Sequence, residues 1–290
     1  MTRIAHLTDL HFGADDPAVV AALIQELNAD RPDLVAISGD LTQGGRHAEF
    51  RAARAFMDAL HAPTLAVPGN HDITPYNLIE RFADPYARWR QAIGAETEPA
   101  WHDREVAVLG LNTARRFGLN WDWSRGRVTH VRLRRLIGRL EAVPAGLARI
   151  VVAHHPLLPP EQAPQTTVAG GAAQALAAMS EAGVVLVLAG HLHRGYARLA
   201  TASGRPPLVL QGGTATSVRL RGEPNSYHRL EVDGEGCVKV EIRIWNGAAW
   251  TARSADLADL SAAATVEHRD DLIAVTLRGD HGQVSESPSE

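Results

Sequence analysis

Seven short apolar runs punctuate the chain: RIAHL (3–7), LVAIS (34–38), TLAVP (64–68), VAVLGL (106–111), RIVVA (149–153), VVLVLA (184–189) and PLVLQ (207–211). Each is rich in aliphatic residues and bounded by Gly, Asp, Asn or Pro, the pattern of strands buried on both faces. Between them, residues 17–30, 46–61, 77–93, 130–143 and 170–183 carry apolar residues near helical spacing. Pro85 should kink or end the third of these helices. Such alternation predicts an α/β sheet covered by helices. Further on, residues 226–233 and 237–245 flank Gly-Glu-Gly and read as a hairpin. Residues 271–279 suit one more strand, and 280–290 read as a disordered tail. With no internal repeat or linker, residues 1–250 read as one domain and 251–290 as a C-terminal extension.

Polar residues gather where the apolar runs stop. Asp9-Leu10-His11 follows the first run and Gly39-Asp40 the second. Gly69-Asn70-His71-Asp72 follows the third, His154-His155 the fifth and Gly190-His191-Leu192-His193 the sixth. Buried polar groups are costly unless something uses them. Ligands of open α/β sheets bind at the carboxyl ends of strands, so five runs would bring donors to one edge of one sheet. In extended chain, residues i and i+2 share a face, which would pair Asp9 with His11 and His191 with His193. The glycines before Asp40, Asn70 and His191 allow close backbone approach. Imidazole, carboxylate and amide oxygen suit zinc, iron or manganese. Singly, Asp-x-His is a common loop coincidence, Gly-Asp a turn and His-x-His a surface or core pair. Five such elements in order, each closing a strand, form a specific set.

Composition narrows the classes. The 290 residues carry a net charge of −4 and 45% hydrophobic residues, ordinary for a soluble globular chain. A pI near 6.4 gives no global basic surface for nucleic acid or membranes. The single cysteine, Cys237, rules out an intrachain disulfide and reads as a small buried hydrophobe. The start, MTRIAHLTD, lacks a secretory apolar region and no run reaches membrane-span length, so a cytoplasmic protein is expected.

Asp-Leu-His (9–11), Gly-Asp (39–40), Gly-Asn-His-Asp (69–72), His-His (154–155) and Gly-His-Leu-His (190–193) resemble the five motifs of the calcineurin-like metallophosphoesterases, across residues 3–215. GNHD, HHP and GHLH together look most like bacterial class III cyclic-nucleotide phosphodiesterases and their glycerophosphodiesterase relatives. The resemblance implies a four-layer αββα sandwich of two mixed sheets, with a dinuclear metal site (Fe, Mn or Zn) at the strand C-terminal ends. It implies one metal on Asp9, His11, Asp40 and His193, and a second on Asp40, Asn70, His154 and His191, with Asp40 bridging. His154 is taken over His155, which is read as a supporting or packing residue. His71 matches the family's non-ligand histidine beside the phosphate. Asp72 either orients its loop and His71 or caps the following helix. The implied reaction is attack of a metal-bridging hydroxide on phosphorus, with Asp40 and His71 as catalytic residues. The stretch GDLTQGG (39–45) lacks the arginine that grips monoester dianions in the superfamily's protein phosphatases, which favours small phosphodiesters.

Arg115, Thr214, Arg219 and Asn225 are expected near the substrate. Residues 112–128, with Trp121 and Trp123, read either as a substrate-edge loop or as a loop packed on the body. A phosphomonoesterase, a nuclease or a non-catalytic scaffold are the rival readings. The acidic balance disfavours a nucleic-acid partner, and no membrane partner is expected. A homodimer through an edge strand or hairpin of 227–245 is a further expectation.

Overall fold

The computed structural model describes residues 1–74, 76–116, 124–200, 205–253, 264–269 and 272–277. In chain order the elements are β1 (Thr2–Leu7), α1 (Pro17–Asp30), β2 (Leu34–Ile37), α2 (His47–Ala59), β3 (Thr64–Ala66), α3 (Leu78–Ala83), α4 (Ala87–Ala92), β4 (Ala100–His102), β5 (Val106–Gly110) and α5 (His130–Glu141). There follow β6 (Ala148–Val152), α6 (Ala172–Glu181), β7 (Val184–Ala189), β8 (Tyr196–Leu199), β9 (Leu208–Gln211), β10 (Ser226–Val232), β11 (Val238–Trp245), β12 (Trp250–Arg253), β13 (Ala264–Arg269) and β14 (Leu272–Leu277).

These strands build two sheets, where the run-end pattern alone predicted one. The first has the order β13-β14-β11-β10-β1-β2-β3 with β12 beside β11, and the second β4-β5-β6-β7-β9-β8. β1, β2 and β3 are mutually parallel, as are β5, β6, β7 and β9, and the remaining pairs are antiparallel. The alternation of side chains explains the doubling. Ile4, Leu34 and Ala36 of one sheet meet Val106, Val108, Ile150, Val152 and Leu188 of the other in a core between the sheets. The intervening residues Ala5, Val35 and Ile37 face the other way, onto Val19, Leu23 and Leu27 of α1 and Phe50 and Phe56 of α2. Ala107, Leu109, Val151 and Val187 meet Leu136 and Leu140 of α5 and Leu176 and Met179 of α6. The architecture is therefore a four-layer αββα sandwich.

Local sequence sets the boundaries. Asp16 caps α1 by accepting the Ala18 N–H, and Pro17 takes the first helical position. The helical stretch around Pro85 divides into α3 and α4 on either side of it. Residues 227–245 are not an edge: β10 lies between β1 and β11, and β11 is flanked by β10, β12 and β14. The expected edge-strand route to a dimer is thereby corrected. Within 271–279, β14 pairs with both β11 and β13. Trp121, Trp123 and residues 280–290 lie outside the described residues. The buried ends of β1, β2 and β3 and those of β6 and β7 come together where the two sheets meet.

Candidate metal centre

β1 and β2 are tied at their ends by Asp9 N–H to the Gly39 carbonyl (3.1 Å) and His11 N–H to the Asp40 carbonyl (3.0 Å). Asp9, His11, Asp40, His191 and His193 all have positive φ, between 50° and 80°. Only Arg31 and Arg221 share that conformation among the described non-glycine residues. The i, i+2 pairs therefore do not converge by extended alternation. Asp9 and His11 meet through left-handed turns, with Asp9 Oδ1 3.6 Å from His11 Nε2. His191 and His193 part company: ligand atoms of His193 group with Asp9 and His11, and those of His191 with His154 and His155.

Backbone carbonyls fix which nitrogen each histidine presents. A carbonyl only accepts, so the nitrogen facing it carries the proton. His154 Nδ1 donates to the Ser38 carbonyl (2.8 Å), His193 Nδ1 to the Arg219 carbonyl (2.8 Å) and His71 Nδ1 to the Gln43 carbonyl (2.6 Å). Their Nε2 atoms are left to face inward. His155 is held differently. Its Nε2 donates to the Ser124 carbonyl (2.9 Å) and its Nδ1 accepts from the Thr113 hydroxyl (2.8 Å). Both its nitrogens are used by its own loop and the loop of Ser124, which leaves His154, whose Nε2 faces Asp40 and Asn70, as the candidate ligand of the pair.

The inward atoms crowd together. His11 Nε2 is 3.1 Å from His193 Nε2, and Asp9 Oδ1 is 3.2 Å from His193 Nε2. Asp40 Oδ2 is 3.3 Å from His154 Nε2 and 3.7 Å from His11 Nε2. Asn70 Oδ1 is 3.2 Å from His154 Nε2. Ligands about 2.1 Å from one ion stand roughly 3.0–3.5 Å apart at octahedral to tetrahedral angles, which is this spacing. Buried Asp9 Oδ1 and His11 Nδ1 have no hydrogen-bond partner. Once deprotonated, these atoms would aim their lone pairs at one place, and the donor set fits a divalent cation. Asp40, reaching both the His11 and the His154 side, is the carboxylate placed to serve two ions.

The other oxygens are already engaged. Asp9 Oδ2 accepts from Thr8 Oγ1 (2.6 Å) and the His191 N–H (2.8 Å), and Asp40 Oδ1 accepts from the His71 N–H (2.9 Å). Burial alone would raise the pKa of Asp9 and Asp40, but the facing imidazoles outweigh it and hold both carboxyls far below their usual range. Burial likewise opposes protonation of His154, yet Asp40 raises it to about 9. His191, also buried and beside His154, falls to about 4.

Asp72 caps no helix, since Asn77 caps α3. Its carboxylate accepts from the N–H groups of Gly69 (2.9 Å), Leu41 (3.2 Å) and Thr42 (2.9 Å) and from Thr42 Oγ1 (2.9 Å). It thereby clamps the loop of Asp40 to the loop of Asn70 and His71. Thr214 and Asn225 are buried in structural bonds, Thr214 Oγ1 donating to the Asp9 carbonyl (2.6 Å) and Asn225 Nδ2 to the Ser217 carbonyl (2.9 Å). Arg219 acts here through its backbone carbonyl on His193. Arg115 lines a cavity that none of the metal-facing residues lines. Beside His155 and His191 a cleft of about 270 Å³ opens, lined also by Arg125, Thr166 and Thr167. Ser38, Gln43, Thr8 and Thr113, which fix the donors, carry no motif. Their only signal is adjacency to the strand ends.

The sequence matches the Calcineurin-like phosphoesterase family over residues 2–195. The chain belongs to this family. Among curated relatives, it is 39% identical over 80 residues to the glycerophosphodiester phosphodiesterase GpdQ of Enterobacter lignolyticus (24% of this chain, 29% of that one). It is 26% identical over 165 residues to a protein of Rhodopseudomonas palustris named "Probable cyclic nucleotide phosphodiesterase" (52% of this chain, 56% of that one). The matches thus span between about a third and just over half of these relatives' lengths. In fold, the chain is similar to a purple acid phosphatase of yellow lupin, with a TM-score of 0.64 at 13% identity (87% of this chain, 52% of that one). It is also similar to a dimetal phosphatase of Danio rerio, with a TM-score of 0.60 at 10% identity (87% and 98%). This calcineurin-like phosphoesterase has no helix, among the described residues, long and apolar enough to cross a membrane.

Proposed function

We propose that the chain is a dinuclear metal-dependent phosphodiesterase acting on small phosphodiesters of the glycerophosphodiester or cyclic-nucleotide type. The observation that carries this reading is the convergence of Asp9, His11, Asp40, His154 and His193 within coordination spacing. Asp9, His11, Asp40 and His193 would hold one ion, and Asp40, Asn70, His154 and His191 the other. Two such ions supply acidified water and neutralise charge on the phosphoryl oxygens. The protein's own part is to hold the donors still and to manage the proton of the leaving group. His71 is half-buried, and it offers an atom within 4.8 Å of ligand atoms of His11 and Asp40. With Nδ1 anchored on Gln43, its Nε2 is the atom that would donate a proton to the departing alkoxide.

Diester preference rests on the first arginine downstream of Asp40. That residue, Arg46, stacks over the Tyr76 ring (4.8 Å) and faces Glu49 (3.9 Å). These contacts draw its side chain toward Tyr76 and Glu49. The names of the curated relatives point the same way. The test is turnover of bis-p-nitrophenyl phosphate against p-nitrophenyl phosphate by the purified protein with added Mn²⁺. The diester should be strongly preferred, and preference for the monoester would replace this reading with a phosphatase.

A further inference from the structure

His6 of β1 and His228 of β10 are cross-strand partners inside the molecule. They share the inner face of the first sheet with Ile4, Leu34, Ala36 and Leu230, which feed the apolar core between the sheets. The second sheet closes over them: a Cβ on Gly212, just past β9, would lie 3.5 Å from His6 Cε1. Among the described residues, every other histidine buried as deeply, namely His11, His154, His155 and His193, stands at the metal centre. Two imidazoles placed in an apolar core need partners, and the partners lead to that centre.

His6 Nδ1 is 3.0 Å from His228 Nδ1, and His6 Nε2 is 2.8 Å from Ser38 Oγ. Ser38 Oγ donates to the Leu7 carbonyl (3.5 Å), which can only accept. The hydroxyl therefore accepts from His6 Nε2–H. His6 Nδ1, left without a proton, accepts in turn from His228 Nδ1–H. Burial keeps both rings neutral, holding His6 well below the usual histidine range and pushing His228 down to about 4.

Ser38 directly follows β2, and it is a junction. Its N–H donates to the Leu7 carbonyl (2.9 Å), and its own carbonyl accepts from His154 Nδ1 (2.8 Å). The next two residues, Gly39 (φ 91°) and Asp40 (φ 50°), are left-handed and swing the chain into the site. One residue thus sets the imidazole of His154 and the departure of the chain toward Asp40. An apolar pair of similar shape could replace the two histidines at little cost in stability. Their use is therefore to be sought where their hydrogen bonds end.

We propose that His6, backed by His228, is a positioning residue for the ion held by Asp40, Asn70, His154 and His191. It fixes Ser38, and Ser38 keeps His154 in its coordinating orientation. The proposal rests on the dinuclear reading above.

The test is equilibrium dialysis of the full-length, metal-loaded protein against Mn²⁺ at falling free concentration, with bound metal read by elemental analysis and urea melts alongside. A glutamine amide reaches as far as Nε2, and an asparagine amide as far as Nδ1. His6→Gln should keep the bond to Ser38 and hold both ions as the wild type does. His6→Asn and Ser38→Ala lose that bond and should weaken one ion about tenfold or more, leaving the other within about twofold. Ser38→Ala removes a single oxygen, so it carries the test even if His6→Asn does not fold. In His154→Gln, which should retain the other ion alone, adding Ser38→Ala should change nothing further. Wild-type affinity for both ions in His6→Asn and Ser38→Ala, or equal weakening of both ions, would overturn the proposal whatever the melts show. So would a loss in His6→Gln equal to that in His6→Asn. A wild-type protein that takes up fewer than two ions would instead overturn the dinuclear reading, and this proposal with it.

Discussion

Gly69→Ala adds one methyl group where the loop after β3 passes the loop after β2. A Cβ at Gly69 would lie 2.0 Å from Asp40 Oδ1 and 2.5 Å from the Asp40 backbone nitrogen. The carboxylate can swing away, but the nitrogen belongs to backbone already held by the bond between the His11 N–H and the Asp40 carbonyl. Ordinary contact begins near 3.4 Å, so Asp40 and Gly69 must separate by roughly 1 Å. That separation would pull Asp40 from its place between His154 and His11 and strain the Asp72 clamp that spans both loops. Overpacking of this kind costs about 1–3 kcal/mol. A misplacement of ~1 Å at a reacting centre costs on the order of 100-fold in rate. The assay is turnover of bis-p-nitrophenyl phosphate together with metal content by elemental analysis and a urea melt. Gly94→Ala is the control, since a Cβ there meets nothing within 4 Å. Gly69→Ala should lose about two orders of magnitude in turnover, and Gly94→Ala none. Wild-type turnover and full metal content in Gly69→Ala would refute the argument that the close approach of the two loops positions Asp40.

His155→Gln should keep the metal stoichiometry of the wild type while losing about 1–3 kcal/mol of stability from its broken Thr113 and Ser124 bonds, whereas His154→Gln should lose metal; elemental analysis and urea melts distinguish them. Asp72→Ala removes four accepted hydrogen bonds and should cost about 2–4 kcal/mol by denaturant melt, with a fall in turnover through the released loop. Metal binding should release protons, because His154 titrates at about 9 without a cation and must be neutral to coordinate. Its apparent affinity should therefore tighten about tenfold per pH unit between roughly pH 7 and 9, measured by titration calorimetry in buffers of different ionisation enthalpy. A pH-independent affinity would contradict that linkage. At left-handed His193 both glycine and alanine remove the proposed metal ligand, but His193→Gly should be more stable than His193→Ala by about 1 kcal/mol in urea.

The layers of the fold were legible because hydrophobic runs of fixed length recur at strand and helix periods. The number of sheets was not legible in those runs; the two-sheet sandwich followed from the resemblance of the motifs, and the structure has it. Whether Val35 and Leu34 face a helix or a second sheet depends on long-range pairing, and both faces read simply as apolar. β4, β8 and β12 are strands of three or four residues with mixed burial, too short to stand out. At the centre, the donors were visible because imidazole and carboxylate are rare at the ends of buried strands. The groups that orient them were not visible, because four of the decisive contacts go to main-chain carbonyls, those of Ser38, Gln43, Ser124 and Arg219. A carbonyl has no residue identity to read. Asp72 stands out in the sequence beside Asn70 and His71, but its partners do not, being the N–H groups of Gly69, Leu41 and Thr42 and the Thr42 hydroxyl.

The i, i+2 spacing led to the right neighbours for Asp9 and His11 by the wrong geometry, and the difference matters for how the site is built. In extended chain the two side chains would stand parallel on one face, and His191 and His193 would do likewise. Left-handed residues instead turn the chain at Asp9, His11, Asp40, His191 and His193, so these loops deliver a side chain inward and then reverse. That conformation costs roughly 1–2 kcal/mol for each residue bearing a Cβ. Glycine would relieve it at any of the five positions, yet all five carry aspartate or histidine. The strain is countered by bonds between loops: Asp9 N–H to Gly39, His11 N–H to Asp40, His191 N–H to Asp9, and Thr214 to the Asp9 carbonyl. The donors therefore hold one another's backbones in place before any cation arrives. A centre assembled this way needs little rearrangement on binding, because the cost of ordering it was met when the two sheets folded together.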